Sequence, residues 1–343
     1  MEKQKASFDS KKFNAFVMNN AIYIVLVALF IVIIAISPDF LSINNFRNIL
    51  AQASTRMIIA LGIGGILIVQ GTDLSAGRSV GFAAVVSASL LQATDYAYRM
   101  YPNLQRLPVF VPILIAIAVC AAVGLFNGII VAVFKVPPFI ATLGTMLIVY
   151  GLNSTYFDRP PYGAQPVGGL DKAFTQFSLG SIGGSGDLSI PYLVIYAAIA
   201  TLIIWVLWNK TRLGKNMYAI GGNPEAAAVS GVNVVKYLIL IYVIAGALFG
   251  FAGALEAGRV GSATNNTGNM YEMDAIAACV VGGVSIYGGI GTVPGIITGV
   301  LIFQVINYGL AFIGVNAYMQ YIVKGLIIVS AVAIDIRKYI RKK

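Results

Sequence analysis

The 343-residue chain contains no histidine and only two cysteines, and charged residues make up 10% of it. Each shortage excludes something. The absence of histidine removes the commonest metal ligand, the usual general base near neutral pH and the usual proton shuttle. Cys120 and Cys279 sit inside apolar runs with no metal-ligand spacing and no disulfide framework, so they read as small buried hydrophobes. A soluble fold covers its surface with roughly 25% charged residues, and this chain lacks them. It also lacks a phosphate-binding loop. The nearest fragment, Gly214-Lys215-Asn216, misses the final Ser or Thr, and Asn209 stands where the first Gly belongs. The chain therefore does not hydrolyse ATP by that device. No motif that reads nucleic acid is present, so the net charge of +10 does not indicate a nucleic-acid partner.

What is there is apolar: 58% of the residues are hydrophobic, in long charge-free runs. A spanning helix needs about 20 such residues. The runs predict an all-α polytopic membrane protein of about ten spans, near 21–37, 57–70, 78–92, 109–134, 139–157, 191–208, 236–255, 273–288, 292–313 and 318–336. The whole of 1–343 then forms one transmembrane domain. Lys and Arg mark the inner side of a membrane. With both termini placed in the cytoplasm, the inner segments hold fifteen Lys and Arg and the outer loops seven. This makes 1–20 a cytoplasmic N-terminal segment, 158–190 an external loop and 209–235 a cytoplasmic loop. The external loop is rich in Gly and Pro, and reads equally as a flexible connector or as a surface that meets an external partner.

The 209–235 loop carries the strongest local signal. Asn223 is a good N-cap, Pro224 suits the first helical position, and Glu225 complements the positive helix end. Ala226 and Ala227 propagate a helix of about two turns, which Gly231 is placed to end. A short capped helix with a smooth alanine face can be gripped by a partner; otherwise it lies on the membrane surface. A second signal is Asp73 in a Gly-bounded break between spans. It reads foremost as a helix N-cap, and otherwise as a pathway or helix-break residue paired with Arg78. The glycine-rich stretch with Gly282, Gly283, Ser285, Gly288 and Gly289 is a further break that could face a pathway, because irregular backbone at membrane depth is buried or lines a cavity. Glycines four apart at Gly124/Gly128, Gly246/Gly250 and Gly291/Gly295/Gly299 read as close helix packing within the chain.

Glu225-Ala226-Ala227-x-x-x-Gly231, with Ile241 beyond it, resembles the EAA motif of ABC-importer permeases, departing where Val243-Ile244 replaces the expected Leu-Pro. Gly71-Thr-Asp-Leu-Ser-Ala-Gly77, Thr142-Leu-Gly-Thr145, Ala219-Ile-Gly-Gly-Asn-Pro-Glu225 and Gly282-Gly-Val-Ser-Ile-Tyr-Gly-Gly-Ile-Gly-Thr292 are similar to blocks of the ribose/galactose-type monosaccharide permeases. The likeness covers nearly the whole chain. It implies a non-catalytic permease subunit in a bacterial inner membrane that passes galactose- or methyl-galactoside-like sugars. It further implies a second copy of the chain, a cytoplasmic ATP-binding subunit that grips 223–231, and a periplasmic sugar-binding protein. The resemblance assigns no cofactor to the chain itself, ATP-Mg belonging to the partner subunit. Two other classes make different demands. An ion-driven carrier needs acidic or His groups at mid-membrane, and the charges Asp73, Arg78, Glu256, Arg259, Asp274 and Asp335 fall near predicted span ends. An intramembrane enzyme needs a nucleophile and base or a metal set, which the chain does not show.

Overall fold

The computed structural model describes residues 27–28, 30–161, 163–183 and 189–340, with side chains except those of 331, 332 and 334–340. The 1–20 segment lies outside the described residues, and the span expected at 21–37 is described only from residue 27 onward, with helix over 30–36. The chain divides into two compact units, residues 43–301 and the pair of segments 1–42 and 302–343.

The 43–301 unit begins with α1 (Ile43–Ile68) and α2 (Ala76–Leu90), separated by a break. Next come α3 (Phe110–Ala132) and α4 (Pro138–Phe157), the latter with a proline in its first turn. A short α5 (Lys172–Leu179) and a two-stranded antiparallel pair, β1 (Ser181–Ile182) and β2 (Ile190–Pro191), precede α6 (Tyr192–Lys210). Two short helices follow, α7 (Arg212–Gly222) and α8 (Pro224–Val229). The long α9 (Val234–Val260) is N-capped by Asn233, whose side chain accepts from Lys236 N, and ends at Gly261 in the left-handed region. The half-length α10 (Tyr271–Val281) comes after it. α11 (Val293–Phe312) runs across the unit boundary, and α12 (Ala317–Ile340) closes the chain. In the second unit Ile33 packs on Gly309, and the Phe40 ring meets Phe312 at 5.6 Å and Tyr308 at 6.2 Å.

Among the described residues, α1, α3, α6, α9 and α11 are long and apolar enough to cross a membrane. Leu114, Leu147, Leu202 and Leu326 are exposed on four different helices, which a bilayer solvates and water does not. The protein is an all-α polytopic membrane protein. Two expected spans change. The 57–70 span is the C-terminal part of α1, so Arg47 and Arg56 lie on that helix and not in a loop. The 273–288 span shrinks to the 11 residues of α10, too short to cross, because Gly282 and Gly283 end it while the apolar sequence continues.

α9 is the central helix, and its glycines set its distance to α3. A Cβ on Gly246 would strike the Cys120 carbonyl, and one on Gly250 the Ala116 carbonyl; Gly124 faces Tyr242 and Gly128 faces Ile239 in the same way. The four-residue spacing thus serves intrachain packing. Both cysteine thiols are fully buried and donate to backbone carbonyls at 3.2 Å, Cys120 to Ser79 and Cys279 to Ala60.

The described part of the 158–190 loop is folded against the rest of its unit. Val167 pairs with Ala263, Ala93 N donates to Gly169 O at 2.7 Å, and Phe174 of α5 is fully buried. Asp171 caps α5 by accepting from Ala173 N and pairs with Arg106 at 2.8 Å. Burial would raise the Asp171 carboxyl, but the Arg106 hydrogen bond and the Ala173 N–H outweigh it and hold it below its ordinary value.

Candidate functional site

The 209–235 loop folds as its local sequence dictates. Thr211 starts α7, its hydroxyl accepting from Leu213 N at 3.2 Å. Asn223 separates α7 from α8, and its Oδ1 accepts from Ala226 N at 2.9 Å. Pro224 and Glu225 occupy the first turn of α8. The helix has six residues, close to the two turns expected, and stops at Val229. Gly231 follows with φ +85°, its N–H donating to Ala228 O while Val232 N donates to Ala227 O. These bonds satisfy carbonyls that the helix end would leave open. Ala227 is buried, Pro224 half-buried, and Glu225 and Ala226 exposed.

α7 ties this loop to both helix breaks. Gln70 Nε2 donates to Gly221 O at 2.8 Å, and Gly289 N donates to Ile68 O at 2.8 Å. Tyr218 of α7 donates its hydroxyl to Gly291 O at 2.8 Å, and burial pushes its phenol up. The residues at these crossings are glycines because backbone meets backbone. A Cβ on Gly221 would strike Ile68 O, and one on Gly289 would lie 3.1 Å from Gly222 Cα. Gly288 and Gly289 have φ +81° and +71°. Ser285 is buried and closes the turn: its N–H donates to Ile290 O at 3.0 Å, and its carbonyl accepts from Gly288 N at 3.1 Å. Gly282 packs against Gly295 on α11, whereas Gly283, at φ +85°, has open space around it. The structure thus gathers Gly288 and Gly289 beside α7 and leaves Gly283 apart.

The first break is buried and pinned by three helices. Asp73 Oδ1 accepts from Ser75 N at 2.8 Å and from Ser75 Oγ at 2.6 Å. Asn127 of α3 donates to Ser75 Oγ at 2.9 Å, Leu74 N donates to Thr142 Oγ1 of α4 at 3.1 Å, and Tyr242 of α9 donates to Thr72 O at 3.3 Å. Asp73 therefore bonds a backbone N–H two residues on, as a cap does, but α2 starts later and Ser75 occupies the cap position. The pairing of Asp73 with Arg78 does not form. Arg78 donates instead to Asn269 Oδ1 at 2.8 Å and Asn266 Oδ1 at 3.5 Å.

A second polar cluster joins residues that lie far apart in the sequence. Glu256, 1% exposed on α9, accepts from Arg259 Nε at 2.9 Å, Arg259 Nη2 at 2.7 Å, Thr55 Oγ1 at 2.9 Å and the Tyr271 hydroxyl at 2.8 Å. The Arg56 guanidinium lies 3.1 Å from the Tyr271 ring centroid. The cluster joins α1, α9 and α10. Its sequence signal was a carboxylate three residues from an arginine at the end of an apolar run. Asn127 had a signal too: a lone amide inside an apolar run needs a partner.

An all-α bundle with buried helix breaks and an exposed capped loop defines a polytopic membrane protein of the transporter type. Residues 45–332 match the family described as branched-chain amino acid transport system, permease component, and the chain belongs to that family. It is 57% identical to the galactose/methyl galactoside import permease protein MglC of Haemophilus influenzae, covering 100% of this chain and 99% of that one. The MglC protein of Escherichia coli K12 is 56% identical over 98% of this chain and 100% of its own. The ribose import permease protein RbsC of Escherichia coli K12 is 36% identical, over 94% and 95%. No solved structure matches the chain. The protein is a membrane-embedded permease component of a transport system.

Proposed function

We propose that this chain is the membrane-spanning subunit of an ATP-driven importer of galactose and methyl galactosides in a bacterial inner membrane. Two copies form the pathway. A periplasmic binding protein delivers the sugar, and a cytoplasmic ATP-binding subunit holds ATP-Mg and performs the hydrolysis. The observation that carries this reading is the full-length likeness to relatives named for galactose and methyl galactoside, at 56–57%, against 36% to those named for ribose. The excess of Lys and Arg on the inner segments supports cytoplasmic termini.

Coupling is assigned to Asn223, Pro224, Glu225, Ala226, Ala227 and Gly231. Their helix is capped at both ends without help from the rest of the protein, so it presents a set shape to a partner. Movement of α8 reaches α7 through Asn223, and α7 reaches both helix breaks through Gly221 and Tyr218. An ion-driven carrier is the other reading. The structure buries Asp73, Glu256 and Glu272, yet the first two are already supplied with hydroxyl, backbone or guanidinium donors, which disfavours an ion-binding role.

The test is sugar-stimulated ATP hydrolysis in proteoliposomes holding the chain with its ATP-binding subunit and binding protein. Glu225→Lys puts a positive charge at the positive end of α8 and should abolish the stimulation while the chain remains folded. Uptake by the chain alone, abolished by an ionophore and indifferent to ATP, would replace the importer with the carrier.

A further inference from the structure

After α9 ends, residues 261–270 form no helix and turn back along α2. The Thr267 carbonyl lies against Gly81 and the Gly268 carbonyl against Gly77, and a Cβ at either glycine would overlap those oxygens. At this level α2 also packs on α9, with the Val80 carbonyl against Gly253, seven residues inside the end of a spanning helix. The 261–270 backbone therefore sits at membrane depth. Irregular backbone survives there only inside protein or beside water.

Two of its amide side chains face outward. Asn266 and Asn269 are exposed, and Arg78 of α2 reaches both. The Arg78 guanidinium lies 4.4 Å from the ring centroid of Tyr150 on α4, and Tyr150 is 38% exposed. The buried Glu272 carboxylate lies against Gly77 in the same strip. Asn153, fully buried, reaches Asn265 O at 3.5 Å, and its Oδ1 has no hydrogen-bond partner. Lipid does not solvate an arginine and two exposed amides at this depth.

We propose that Arg78, Tyr150, Asn266 and Asn269 form a contact site for a neutral polyhydroxylated ligand, a hexose crossing the membrane, with the buried Glu272 carboxylate offsetting the Arg78 charge. This rests on the importer reading. Each amide offers donors and an acceptor, as each sugar hydroxyl does. The guanidinium adds donors, and the opposite charge of the buried carboxylate offsets it, so the site has no net demand for an ionic ligand. The Tyr150 ring gives an apolar face for the C–H side of a pyranose. The site differs from the coupling loop in position and in chemistry.

The experiment measures uptake of labelled galactose and methyl galactoside by proteoliposomes containing the complete importer. Asn266→Ala and Asn269→Leu are compared with Thr298→Ala, an exposed polar position on α11 outside the site. The two site variants should lower galactose uptake at least tenfold and shift the ratio of galactose to methyl galactoside uptake at least threefold, while Thr298→Ala stays at wild type. A packing fault lowers both sugars alike, so an unchanged ratio overturns the site. So does uptake within twofold of wild type in both variants. Variants in which the two copies separate by light scattering overturn it as well, because the face is then a seam between copies. If the wild-type importer takes up neither sugar, the importer reading has failed before the variants are compared.

Discussion

Gln70 and Gly221 are joined by a 2.8 Å hydrogen bond from the Gln70 side chain to the Gly221 carbonyl, linking the end of α1 to the last turn of α7. Gln70 holds this position at φ +62°, a region that residues with side chains rarely adopt. Gln70→Gly relieves the backbone and removes the amide. It should leave the chain folded and lower sugar uptake per ATP hydrolysed several-fold, read by measuring both rates in the same vesicles.

The two caps of α8 separate helix stability from helix chemistry. Asn223→Ala removes the bond to Ala226 N and should cost about 1 kcal/mol of local stability. Gly231→Ala has space for its Cβ but faces a positive φ, and should cost about 1–2 kcal/mol. Both should weaken co-purification with the ATP-binding subunit, whereas Thr298→Ala, at an exposed position on α11, should not.

Glu256 is a buried charge with four donors. Arg259→Met strands it and should destabilise the protein by about 3–5 kcal/mol, seen as a lower unfolding temperature in detergent. Combining Arg259→Met with Glu256→Gln should recover part of the loss, because no charge is left without its partner.

Gly246→Leu drives a side chain into the Cys120 carbonyl. Overpacking costs about 1–3 kcal/mol in soluble cores, and here the obstacle is backbone, so the yield of monodisperse protein should fall. Gly222→Ala, with open space around it, is the comparison that should not change it.

The Asp171–Arg106 pair makes the segment around α5 sensitive to acid. Because the folded carboxyl lies below its ordinary value, its stabilisation is present above the unfolded value and is lost as pH falls through the folded one. Amide exchange at Ala173 and Phe174, corrected for intrinsic rates, should rise as pH drops below about 4. Arg106→Ala should produce the same rise at neutral pH.

How much of this was legible follows from how far apart the partners lie in the chain. Asn223, Pro224 and Gly231 act on neighbours within four residues, so the capped helix was readable. The full-length helices were readable because hydropathy measures transfer into lipid. Depth was not. Apolar residues continue past Val281 through Val284 and Ile286, so a charge-free run hid the turn at Gly282 and Gly283. Arg78 was read against Asp73, five residues away, when its partners lie almost two hundred residues on. Nothing local announces that a segment folds back along a helix, and the same gap concealed the meeting of Glu256, Thr55 and Tyr271.

Cys120 and Cys279 have no solvent exposure, and each thiol is engaged with a backbone carbonyl. A maleimide reagent meets no thiol on the native surface. The natural chain can therefore serve as its own unreactive background: one cysteine introduced at Val229, Tyr318 or Ile182, all exposed, would carry the whole label, and impermeant probes would then report which side of the bilayer each position occupies.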